Sequence, residues 1–78
     1  MLIEILGTGC RKCTALGDNV QAALDGAGLS ATVEKVTDIV EIAGRGVMST
    51  PGLAIDGRVV SSGRVPDAEE IARFLRTP

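Results

Sequence analysis

A chain of 78 residues has room for one domain, residues 1–78, with a limited core. Hydrophobic residues at 45% and charged residues at 23% fit a folded globule and exclude a disordered tail. A net charge of −2 with one aromatic residue, Phe74, excludes a general nucleic-acid binder, which needs a basic face and stacking platforms. No run approaches the roughly 20 apolar residues that span a bilayer. The apolar start, residues 1–6, has no basic flank and no cleavage site. The expectation is a cytoplasmic monomer with no membrane partner.

Residues 2–6 are apolar except for Glu4 and stop at Gly7-Thr8-Gly9, which reads as a buried strand. A helix is expected from near Cys10. Its apolar positions, Cys13, Leu16, Val20, Ala23, Leu24 and Ala27, recur every three or four residues and share one face. Gly26 and Gly28 are its stop signals. Gly17 inside it costs about 1 kcal/mol against alanine, and close packing is the one reason the sequence offers. Residues 31–36 alternate weakly and give a second strand. Asp38 with Glu41 three residues on reads as a variant capping box. It opens a short helix with Ile39, Ile42 and Ala43 inward, ended by Gly44 and Gly46. Residues 47–52 are turn-rich.

Residues 53–55 form a short strand. Asp56-Gly57 tolerates the positive φ of a type I′ turn, so residues 58–62 return as its hairpin partner. Asp67 caps a last helix with Glu70 at its third position and Ala68, Ile71, Ala72 and Leu75 inward. The order is β-α-β-α-β-β-α. A helix between the first two strands implies a parallel unit, and the hairpin adds two antiparallel strands. The expected architecture is α/β, a mixed four-stranded sheet with helices on both faces.

The two cysteines, Cys10 and Cys13, carry the chemistry, and there is no histidine. In a reducing compartment a lone C-x-x-C is more often catalytic or metal-binding than structural. Cys10 lies between a strand end and a helix start, where unpaired N–H groups and a partial positive charge stabilise a thiolate. Arg11 and Lys12 add cations that could tune its pKa or simply be solvated. A free thiol with pKa near about 8.5 is a few per cent ionised at neutral pH. A value near ambient pH suits attack best. Cys13, one turn on and on the apolar face, is expected to be buried, protonated and able to resolve a mixed disulfide formed at Cys10. Two intervening residues keep the pair within disulfide reach. Thr50-Pro51 supplies the other half of the site. A cis bond there would leave the Thr50 backbone open to an extended substrate segment.

Gly9-Cys10-Arg11-Lys12-Cys13, followed by Ser49-Thr50-Pro51 and a Gly57 hairpin, resembles the thioredoxin superfamily. Residues 47–51 and 61–66 resemble more closely the small, glutaredoxin-sized thioredoxin-like proteins of archaea and bacteria called redox-active disulfide proteins. The resemblance covers essentially the whole chain. It implies a thioredoxin-like fold without the extra N-terminal strand and helix of full thioredoxins. It also implies Cys10 as nucleophile, Cys13 as resolving thiol and Pro51 as a cis-proline facing them. The Arg-Lys dipeptide differs from the Gly-Pro of thioredoxins and the Pro-Tyr of glutaredoxins, and no Trp precedes the motif. Ser61-Ser62-Gly63-Arg64 does not reproduce the glutathione-binding stretch of glutaredoxins. The expected electron donor is therefore a thioredoxin-reductase-like flavoprotein, and the expected substrates are protein disulfides. No bound cofactor is required beyond the redox-active Cys10–Cys13 disulfide.

Other readings compete. Structural zinc wants four Cys or His ligands, so a zinc site would need a second chain. A soft-metal carrier for Cu(I) or zinc would also use two thiolates after a first strand. Such domains run β-α-β-β-α-β, however, and this chain ends in a helix and carries Thr50-Pro51. A redox-sensing interaction module is a third possibility, and an inert structural pair a fourth. Gly63 either lets a substrate backbone approach or is a plain turn glycine. Met48 and Phe74 read as packing, and Glu69-Glu70 as a helix start and not an acid–base dyad.

Overall fold

The first strand, β1 (Leu2–Leu6), sends alternate side chains to opposite faces of a sheet, and both faces are covered. In this computed structural model, which describes residues 1–76, it is followed by α1 (Arg11–Ala27), β2 (Thr32–Val36) and α2 (Ile39–Gly44). Then come β3 (Gly52–Ile55), β4 (Arg58–Ser62) and α3 (Ala68–Arg76). The sheet order is β2-β1-β3-β4. Strand β1 runs parallel to β2 and antiparallel to β3, and β3 pairs antiparallel with β4. The expected element order and mixed four-stranded sheet with helices on both faces are what the chain forms.

Ile3 and Ile5 meet Leu53 and Ile55 on one face, under Leu16 and Val20 of α1 and Ile71 of α3. Phe74 packs against this cluster from its edge. Leu6 and Ala54 face the other way, with Val36, Val47 and Ile42 of α2. Burying a side chain of this size contributes about 1.5–3 kcal/mol, so the first cluster holds most of the fold together. Glu4, the break in the apolar run, faces α2 and is 5% exposed. Its carboxylate accepts two hydrogen bonds of 2.7 Å from the Arg45 guanidinium.

Local signals hold where local chemistry decides. Asp38 accepts the Val40 N–H at 2.8 Å, and Asp67 accepts the Glu70 N–H at 2.8 Å. Asp56 and Gly57 take φ of 50° and 86°, the left-handed values the hairpin requires. A bulge shifts the β3–β4 register between Leu53 and Ala54. A Cβ on Gly17 would lie 3.4 Å from Ile5 Cδ1, an ordinary contact, so helix packing does not demand glycine there.

Four expectations need correction. The second strand starts at Thr32, and as an edge strand it buries only Val36. Ala27 is exposed because the end of α1 opens onto a groove shared with Ala68 and Ala72 of α3. Ile39 and Ala43 do not point into the core, and Ile39 is 70% exposed. A helix of six residues rests on one buried side chain, Ile42, which leaves its first turn in solvent. Met48 is not packing: it is 92% exposed.

Candidate active site

Cys10 is the N-cap of α1, with extended φ −71° and ψ 171°, and its side chain makes no capping hydrogen bond. No acidic residue lies in the first turn to oppose a thiolate. Cys13 is one turn on and 6% exposed, whereas Cys10 is exposed. Both are free thiols, and their sulfurs lie 2.8 Å apart. The contact polarises the pair. Donation from the Cys13 thiol holds Cys10 below the usual thiol range, with help from the backbone N–H groups of Cys13 and Lys12. Burial pushes the Cys13 thiol up, and sharing its proton with Cys10 pushes it further. Lys12 thus acts on Cys10 through its amide, while the Arg11 and Lys12 side chains are exposed.

The second half of the site is the segment from α2 to β3. The Thr50–Pro51 peptide is cis, Thr50 is exposed and Pro51 is fully buried. The Pro51 carbonyl accepts the Gly63 N–H at 3.0 Å. Gly63 has φ of 76°, and a Cβ there would lie 3.1 Å from Ser49 Cβ. Gly63 therefore braces the proline segment from just beyond the end of β4. Asn19 of α1 donates to the Pro66 carbonyl at 3.0 Å and ties the following loop to the helix that carries the thiols.

Gly7 joins the two halves, although from sequence alone it looks like a plain turn residue. It is buried, and a Cβ on it would collide with the Cys13 sulfur and lie 3.8 Å from Pro51 Cα. Its backbone does not adopt the positive φ that calls for glycine. The position excludes a side chain for lack of space, and the signal available in sequence was a glycine ending a buried strand three residues before the first cysteine.

Two large apolar side chains border this site in solvent: Ile39 at 70% and Met48 at 92% exposure. Ile39 and Met48 line a groove of about 280 Å³ with Thr8, Val47 and Thr50. Thr8 precedes Cys10 by two residues and Thr50 precedes Pro51, so the groove opens beside the thiol. Among the described residues no cluster of three or more His, Cys, Asp or Glu could hold a metal ion, and no helix is long and apolar enough to cross a membrane.

Residues 1–76 match the family described as a thioredoxin domain. A thioredoxin of Methanocaldococcus jannaschii is 43% identical over 77 residues, covering 99% of this chain and 88% of its own length. A thioredoxin of Methanothermobacter thermautotrophicus is 40% identical over 75 residues, covering 96% of this chain and 97% of its own.

Proposed function

The chain belongs to the thioredoxin family, and from that premise we propose that it is a single-domain protein-disulfide reductase working through Cys10 and Cys13. One observation carries the reading: two sulfurs 2.8 Å apart, the first exposed at a helix start and the second buried. A pair so unequal divides attack from resolution.

In the dithiol state the Cys10 thiolate attacks one sulfur of a substrate disulfide. The Cys10–substrate S–S bond forms, the substrate S–S bond breaks, and the leaving thiolate takes up a proton. Cys13 then loses its proton and attacks the Cys10 sulfur. The Cys10–Cys13 disulfide forms and the second substrate thiol leaves. The substrate gains two electrons from the cysteine pair and two protons, one from Cys13 and one from solvent. A thioredoxin-reductase-like flavoprotein of the cytoplasm returns the electrons. Cys13 is held in reserve because burial disfavours its thiolate until a mixed disulfide has formed at Cys10.

Thr50 forms the rim on which an extended substrate segment lies, the buried cis Pro51 sets its backbone, and Gly63 holds that rim in place. The apolar groove beside Thr50 favours protein substrates over small polar disulfides. The Lys12 amide supports the Cys10 thiolate, and the exposed Arg11 and Lys12 side chains favour the approach of acidic segments.

The test is insulin reduction with dithiothreitol as electron source. Cys10→Ser is expected to abolish turnover, and Cys13→Ser to accumulate a mixed disulfide visible by mass spectrometry. Unchanged turnover in Cys10→Ser contradicts the assignment. Tight Cu(I) binding by the unmodified protein with no turnover points instead to metal carriage.

A further inference from the structure

We propose that Glu4 and Arg45 are positioning residues for the exposed lip at residues 48–50, fixing where that lip stands relative to Cys10 when a protein disulfide docks. The inference rests on the reductase reading above. Glu4 is the one charged side chain buried among the described residues. It sits on β1, the strand that leads to Gly7 and the thiols. Arg45 is the C-cap of α2, and both its terminal nitrogens meet Glu4 oxygens at 2.7 Å. Glu41, one turn back on α2, meets the same guanidinium at 3.4 Å.

The grip of α2 on the sheet is otherwise slight. The helix buries only Ile42. Apolar contact is non-directional, so one buried side chain does not fix how a short helix is rotated on a sheet. A two-pronged guanidinium–carboxylate contact does, because both prongs must stay aligned. From Arg45 the chain runs through Val47, buried beside Gly52, to Met48, Ser49 and Thr50 in solvent. It is fastened again at Pro51, whose carbonyl accepts the Gly63 N–H. The lip is therefore a short span between two fastenings. Its far end is fixed by β3 and β4; its near end is held down by the buried Val47 and takes its direction from the Glu4–Arg45 contact. Rotation of α2 would carry Ile39, Met48 and Thr50 away from Thr8 and Cys10 together.

The test uses the whole chain, pre-reduced, in single-turnover reduction of insulin and of oxidised 2-mercaptoethanol. The variant is Glu4→Leu with Arg45→Leu, which removes the contact without leaving an unpaired buried charge. The expected result is a rate on insulin lowered about tenfold, below the roughly hundredfold that a misplacement of about 1 Å can cost. The rate on the small disulfide, the pH profile of Cys10 alkylation and the melting temperature stay at or above their wild-type levels. Arg45→Lys, which keeps the charge and loses the fork, is expected to fall between wild type and the double variant on insulin alone. It serves as the test if the double variant does not fold. Wild-type insulin rates in the variants overturn the inference. So does a parallel fall on the small disulfide, or a displaced Cys10 profile, either of which would place the effect at the thiols. Failure of the wild-type protein itself to reduce insulin overturns the functional reading, and this inference with it.

Discussion

The two faces of the sheet are built differently. Under α1 and α3 lies the larger cluster, made of aliphatic side chains from β1, β3 and both helices, with no charge inside it. Under α2 the cluster is smaller, and beside it a buried glutamate meets an arginine. The helix carrying the thiols stands on the first face, and the exposed apolar lip hangs from the second. On the proposed function, the difference separates two tasks. Thiol chemistry needs fixed sulfur positions and a sheltered second thiol, which dense aliphatic packing supplies. Recognition of varied partners needs a rim whose side chains remain in solvent, and such a rim cannot be held by burying itself.

The contrast can be broken most forcefully from the core. Leu16→Ala, on the first face, should cost about 2–5 kcal/mol in urea unfolding. Ile42→Ala, on the second, should lie at or below the bottom of that range, near about 2 kcal/mol. Equal losses would mean that the faces share the load. A sharper cut falls on the boundary between them. Gly7→Ala places a methyl group against the Cys13 sulfur, so overpacking should cost about 1–3 kcal/mol and insulin reduction should fall with it. An alanine variant with unchanged stability and turnover would show that Cys13 has room to move.

The gentlest test is acidification. The Arg45 fork holds the Glu4 carboxyl below its ordinary value of 4.5, although burial pulls the other way. Ionised Glu4 therefore contributes stability that is fully present above its unfolded pKa. That stability is lost as pH falls through the lowered folded pKa. In Glu4→Gln this part of the acid limb should vanish from a plot of melting temperature against pH. A limb of the same depth in the variant would mean that the pair adds nothing to the second face.

What could be read in the sequence divides along the same line. The strands, the Asp38 and Asp67 caps and the Asp56-Gly57 turn were legible because a few neighbouring residues decide each. The inequality of the thiols was legible because a helix start and an apolar stripe are both local features. Glu4 and Arg45 lie 41 residues apart, and nothing near either one names its partner. Ile39 and Met48 carried no sign that they face solvent, since an apolar residue in a short helix or a turn reads as core. Gly7 resembled an ordinary strand-ending glycine until Cys13 was folded against it. The second face was the less legible because its contacts are made between distant parts of the chain.

The claim on which the rest depends is that one sulfur is ready and the other withheld. Alkylation of the reduced protein with iodoacetamide across a pH series, with each cysteine followed separately by mass spectrometry, tests it directly. Cys10 should titrate below the usual thiol range and Cys13 above it, in keeping with their opposite shifts. Coincident profiles, or Cys13 reacting at the lower pH, would contradict the account.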